Sequence, residues 1–271
     1  MGEEKVLGVT KAVNWLFAKP VLALFGLLHL QPANPQYPIP NFFAMELVVF
    51  LFSIIFFLWL RSRMSVERPG ATQQCMEFFL SNPMALGVKD LIDDIVGHGA
   101  ERHVALLGSI GMFILICNLA ALVPGFMSPT AEVTVPLGCA VVVFLYYNYF
   151  GIAHHGPITY GKMLMGPVKL ISPLMVIVET ISHFARLLSL TVRLWANMMV
   201  GELIYVAFLG LTVGLFEALI HLSPAGYASG IVPIGIPFAL IIFHVFEAVL
   251  QAFIFTILAT VYLGLALAEE H

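Results

Sequence analysis

Long apolar runs and short polar breaks alternate along the chain, and the lengths of the runs carry the first structural information. Residues 42–60, 104–123 and 133–152 are each close to the roughly 20 residues that an upright helix needs to cross a bilayer core. The first follows a Pro-rich lead-in, 31–40, with Asn41 in position to cap it, and stops at Arg61 and Arg63. The second is uncharged and stops at Pro124-Gly125, and the third ends at His154-His155-Gly156. Two later runs are too long to stand upright. The stretch 173–220 has no proline after Pro173 and would form a helix of ~72 Å; 237–267 would span ~46 Å, against a hydrocarbon core of about 30 Å. These runs predict a long, strongly tilted hairpin, with Gly201, Gly210 and Gly214 as places to bend its first arm and residues 221–231 as its polar loop. The pattern therefore predicts an all-α polytopic membrane protein of about five spans. Residues 1–40 form an N-terminal interfacial segment and 41–271 a membrane domain, within which 61–103 is a second interfacial stretch.

Composition agrees with this division. The 271 residues are 60% hydrophobic and 10% charged, where a soluble domain carries about 25% charged residues. A net charge of −4 argues against a nucleic-acid binder, and no GxxxxGK[ST] phosphate loop occurs. Cys75, Cys117 and Cys139 are too scattered for a disulfide framework or a metal site, and they read as inert thiols. The opening Met1-Gly-Glu-Glu-Lys5 resembles neither a signal nor a transit peptide. Basic residues set the expected orientation. Arg61, Arg63, Arg68, Lys89, Arg102, Lys162 and Lys169 lie on one side, and Lys5, Lys11 and Lys19 on the other, so the N-terminus is expected outside and the C-terminus in the cytoplasm.

Nearly all intramembrane charge falls on the hairpin. Charged groups at membrane depth cost a few kcal/mol or more, so each needs a reason. Glu179, Arg186 and Arg193 are seven apart and share a face of the first arm, with His183 bridging the first two. Glu202 is nine residues beyond Arg193, on the opposite face, while His244, Glu247 and Gln251 form one stripe on the second arm. An antiparallel register that sets Arg193 level with Gln251 also sets Glu202 beside His244, with the fold-back near residue 223. This gives two polar layers, Arg193 with Gln251 deep in the membrane and Glu202 with His244 and Glu247 nearer the outside. No carboxylate lies within one turn of Arg193, so its counter-charge is expected from another chain. His183 and His244 are too far apart along the hairpin to clasp one haem, which leaves no cofactor. A self-contained secondary transporter or ion channel is the alternative class. It is disfavoured because no half of the sequence repeats and the key cation lacks a partner within the chain. Elsewhere, Asn118 and Asn148 read as interhelical hydrogen-bonding groups and Glu46 and Glu217 as residues that reach water. His154-His155 reads as an interfacial loop rather than a metal site, and the region of His98 and His103 is polar and unexceptional.

Residues 189–203, Ser-Leu-Thr-Val-Arg-Leu-Trp-Ala-Asn-Met-Met-Val-Gly-Glu-Leu, resemble the signature of subunit a of F-type ATP synthase. Residues 244–255, His-Val-Phe-Glu-Ala-Val-Leu-Gln-Ala-Phe-Ile-Phe, resemble the last helix of the same family, and 118–125, 129–132 and the closing Glu-Glu-His of 269–271 are similar to it in order. The resemblance runs from about residue 35 to 271. It implies a non-catalytic stator subunit whose hairpin packs against a ring of c subunits, with the b-subunit peripheral stalk and other synthase subunits as partners, in a bacterial inner membrane. Arg193 then matches the essential arginine facing the ring carboxylate. Glu202, His244 and Gln251 match the outer half-channel, Glu179 and Ser189 the inner one, and Asn197 the polar neighbour of the arginine on that inner side. Glu247 is an additional acid beside His244, either a relay of the outer half-channel or a partner of that histidine. Trp195-Ala196 departs from the Phe-Gly common in the family, and Arg186 stands where a lysine can occur.

Overall fold

The chain folds, in a computed structural model, into helices joined by short turns. The structure describes residues 7–27, 37–65, 69–81, 88–97, 99–123, 126–163, 172–222 and 231–268. In order these form α1 (Gly8–Leu27), α2 (Asn41–Arg63), α3 (Ala71–Ser81), α4 (Val88–Val96), α5 (Glu101–Ala120), a 3-10 turn (Pro129–Ala131), α6 (Thr134–His155), α7 (Pro157–Met163), α8 (Ser172–Leu222) and α9 (Ile231–Leu267). Five of them, α2, α5, α6, α8 and α9, are long and apolar enough to cross a membrane, and no strand occurs among the described residues. The protein is an all-α polytopic membrane protein. The fold-back near residue 223, the stop at 124–125 and the 269–271 tail lie outside the described residues.

Several boundaries moved for identifiable reasons. Asn41 does not cap α2: Pro40 holds the cap position in extended geometry, and the Asn41 amide oxygen instead accepts the Leu7 N–H at 3.3 Å, tying the chain ahead of α1 to α2. Helix α5 begins three residues early because His103 is drawn inside, 3% exposed, with Nδ1 2.8 Å from the Tyr146 hydroxyl of α6. The ring also packs edge-on against Phe150, so the residue is far from unexceptional. Helix α6 continues through His154-His155 and stops at Gly156, whose φ of 79° is costly for any other residue. Helix α9 starts at Ile231, six residues ahead of Pro237; Pro233 falls in the first turn, where backbone N–H groups have no intrahelical partner anyway.

The core forms around α9, which packs against α4, α5, α6 and α8. Its buried stripe is Ala248, Ala252, Phe255, Ala259, Leu263 and Ala266, a helical period in which four of the six are alanines. Association of helices in lipid depends on close van der Waals approach, and small residues permit it. Gly111 of α5 seats Thr256, Gly264 of α9 seats Ile95 beside the end of α4, and Gly151 of α6 seats Tyr160. From the neighbouring helices come Leu107, Ile114, Val143, Tyr147, Leu194 and Met198, all 1% exposed or less. Helix α4 thus docks through Ile92 and Ile95 onto the C-terminal end of α9.

Several polar side chains in this core are bonded. Thr256 and Thr260 donate to the carbonyls of Ala252 and Thr256 one turn back. Asn118, fully buried, donates to the Ala248 carbonyl at 3.3 Å and accepts from Thr130 at 2.6 Å, as Ser128 donates to the Cys117 carbonyl. It therefore bonds neighbouring elements, fastening the 3-10 turn to α5 and α9. Asn118→Ala leaves Thr130 and the Ala248 carbonyl without that partner and should cost about 1–3 kcal/mol. The midpoint of thermal unfolding in detergent should fall accordingly; an unchanged midpoint would show that other contacts hold the turn.

Candidate functional site

Helices α8 and α9 place the intramembrane charges, and α8 runs unbroken through Gly201, Gly210 and Gly214. Its buried stripe, Leu190, Thr191, Leu194, Met198 and Gly201, follows helical spacing. Arg193 lies off that stripe and is exposed, with Ser189 and Val192 exposed beside it and Asn197 half-buried one turn on. No hydrogen bond or ion pair reaches Arg193 from the described residues. Only 12% of the most apolar window of α8 is buried, against 50% for α5, so α8 keeps an open apolar face with one fixed positive charge on it. A bare guanidinium in hydrocarbon is costly, and such a face needs a partner that supplies a negative charge.

Nearer the α8–α9 connection, His244 and Glu247 come together as their spacing predicts. They line a cavity of about 150 Å³ with Val200, Gly201, Ile204 and Tyr205. His244 is 5% exposed; its Nε2 and Oε2 of Glu247 are buried without a partner. Gly201 makes the room: a Cβ there would stand 2.8 Å from Glu247 Oε2. The Tyr205 ring faces the His244 ring at 6.4 Å between centroids. The arms are therefore offset from the expected register, His244 meeting Tyr205 rather than Glu202, and this offset carries Arg193 about one turn past Gln251. Gln251 is buried further along the α9 stripe.

Glu202 turns instead toward the 3-10 turn. It is half-buried and within electrostatic reach of Glu132, the residue that follows that turn. Glu132 in turn lies within reach of Glu46 on α2, which accepts a hydrogen bond from Thr134 at the start of α6. Three acids from α2, the turn and α8 thus stand in sequence. Glu132 carried no assignment in the chain's hydropathy pattern because it ends a loop; the available signal was an acid set directly against the start of a span.

A second polar cluster closes the opposite end of the hairpin. Oε1 of Glu179 lies 3.3 Å from Arg186 Nη2 and 3.5 Å from His183 Nδ1, as the shared face requires. Arg186 also sits over the Tyr262 ring of α9 at 5.6 Å. From α7, the Tyr160 hydroxyl donates to Asn148 Oδ1 at 3.0 Å and lies 3.5 Å from His183 Nε2. Burial holds the Tyr160 phenol above its ordinary pKa, so it stays a donor at neutral pH. Asn148 of α6 donates to the Phe144 carbonyl at 2.7 Å, which turns its oxygen toward Tyr160 and joins α6 to α7. Arg186 and Arg193 share a face by spacing yet differ in environment. Seven residues drift by about 20°, and Tyr262 covers only the Arg186 end.

The family described as ATP synthase A chain matches residues 42–264. The ATP synthase subunit a of Koribacter versatilis is 38% identical over 268 residues, 98% of this chain and 98% of its own. That of Solibacter usitatus is 36% identical over 249 residues, covering 92% and 95%. A third, from Sulfurimonas denitrificans, is 38% identical over 205 residues, covering 75% and 80%. Near full-length identity of this order, together with a match spanning all five apolar helices, places the chain in the ATP synthase A chain family.

Proposed function

We propose that this chain is the proton-translocating stator subunit of a rotary ATP synthase, with no bond chemistry of its own. The observation that carries the reading is Arg193, a fixed cation without a described partner on the open apolar face of α8. A carboxylate on a rotating ring of c subunits would supply the missing charge. At 4 Å and an effective dielectric constant near 20, such a pair attracts by about 4 kcal/mol, enough to favour the ionised carboxylate by roughly three powers of ten. The arginine would hold each arriving carboxylate ionised and so prevent a proton from crossing directly between two half-channels.

The outer half-channel would run through Glu202, His244, Glu247 and Gln251, with Glu132 and Glu46 at its mouth. The inner one would use Glu179, Ser189 and Asn197. The cavity shared by His244 and Glu247, with two buried polar atoms left unbonded, supports a hydrated path and favours Glu247 as a participant. The distribution of Lys and Arg supports an outer N-terminus and a cytoplasmic C-terminus in a bacterial inner membrane. The b-subunit peripheral stalk would hold the subunit stationary, residues 1–40 lying at the interface ahead of the membrane domain 41–271.

Arg193→Ala should abolish proton-coupled ATP synthesis in assembled membranes; normal ATP-driven proton pumping by that variant would contradict the gate. With the three native cysteines replaced, Asn197→Cys should cross-link to a cysteine beside the carboxylate on the ring helix. Absence of any product with a small membrane partner, at normal expression, would remove the ring from this face. Glu202→Gln should slow proton uptake on the order of 100-fold, the low end of what a positioned proton-transfer group contributes, without dissociating the complex. Uptake at the wild-type rate would take Glu202 out of the path.

A further inference from the structure

Resting on the reading above, we infer that His183 is a proton-relay residue of the inner half-channel, passing protons between the Arg193 level and Glu179. The carrying feature is its Nδ1, buried and without a hydrogen-bond partner, 3.5 Å from Glu179 Oε1.

The surrounding bonds fix which nitrogen does the work. Asn148 points its amide nitrogen at the Phe144 carbonyl, so its oxygen faces Tyr160. Tyr160 spends its single proton on that oxygen. The only complementary role for His183 Nε2, 3.5 Å from the same hydroxyl, is donor, so the neutral ring carries its hydrogen on Nε2. Nδ1 is then a bare lone pair facing a carboxyl group. That arrangement is uncomfortable with no proton between the two and satisfied with one. Tyr160 and Asn148 act as positioning residues that set the tautomer, much as an outer group orients an acid–base histidine.

His183 lies ten residues, or about 15 Å, along α8 from Arg193. Its side chain is 16% exposed, whereas that of Glu179 is 32% exposed, so the pair grades from interior toward the surface. The groups facing the histidine are Glu179 and Arg186 of α8, Tyr147 of α6 and Tyr160 of α7, with the Tyr262 ring of α9 against that of Tyr147. Glu179 is the sole acid among them. A proton arriving from the Arg193 level binds Nδ1 to give the imidazolium, Nε2–H staying on Tyr160. The same Nδ1–H proton then passes to Glu179 Oε1 and on to water, restoring the neutral ring. One proton enters and one leaves, and the sequence reverses when ATP hydrolysis drives pumping.

The test uses the assembled synthase in inverted membrane vesicles. His183→Ala and His183→Gln should both lower ATP-driven proton pumping by roughly a hundredfold, at unchanged amounts of assembled complex. Added imidazole should restore most of the rate in His183→Ala, since it fits the vacated space and carries the same proton. Wild-type rates in either variant, or an imidazole-insensitive His183→Ala, would overturn the relay; recovery with glutamine, which bonds Tyr160 but holds no mobile proton, would reduce His183 to a structural role. Failure of the underlying reading is separable, because it would appear as Arg193-independent pumping in the parent enzyme.

Discussion

A polar group in hydrocarbon has no water to bond with, and this constraint organises the molecule. Wherever the chain can meet it internally, it does. Asn118 bonds the 3-10 turn and α9, Thr256 and Thr260 bond their own helix, and His103 meets Tyr146. Six buried side-chain polar atoms remain without a partner among the described residues, and three of them, on His183, His244 and Glu247, belong to α8 and α9. A fourth, the Tyr147 hydroxyl, is on the ring that packs against His183. Arg193 adds an exposed charge to the same hairpin. Unmet polar demand is therefore concentrated where a proton-carrying surface would use it.

The same hairpin depends on missing side chains as much as on present ones. Gly201, one of three glycines expected to bend α8, instead makes the recess that Glu247 fills. The consequence is a register: once Glu247 sits over Gly201, Tyr205 must meet His244, and Glu202 is turned away toward Glu132. Alanines along α9 act similarly at larger scale, letting four helices approach one axis. The path of polar residues is thus set by backbone proximity, which no single polar residue determines.

This explains what was legible beforehand. Lipid thickness constrains run length, so the five spans and the oversized hairpin could be read from hydropathy, with ends wrong by a few residues where tertiary contacts such as His103–Tyr146 extended a helix. Charges inside apolar runs were equally visible, and the faces of Glu179, His183 and Arg186 followed from helical period. Axial offset between α8 and α9 was not, because periodicity reports which way a side chain points and says nothing about how far one helix slides along another. Glu132 and Tyr160 escaped for a related reason. Each lies on or directly after a short element whose position is dictated by the helices it touches, Thr130 held by Asn118 in one case and Tyr160 seated on Gly151 in the other.

Between the two polar clusters the buried face of α8 is almost wholly apolar. From His183 to Gly201 is 18 residues, about 27 Å, and the fully buried positions between them are Leu190, Thr191, Leu194 and Met198. Thr191 spends its hydroxyl on the Leu187 carbonyl. On α9 the facing stripe is Ala252, Phe255 and Ala259, with Thr256 and Thr260 bonded to their own helix and Gln251 buried beside them. A proton cannot hop along methyl groups, and no hydrogen-bonded chain crosses this stretch among the described residues. On the proposed reading, passage from one cluster to the other must therefore leave the interior and cross the exposed face, where Arg193 stands and repels a free cation. Blocking the inside and charging the outside are separate devices, and on that reading together they would leave a mobile carboxylate on a neighbouring surface as the route.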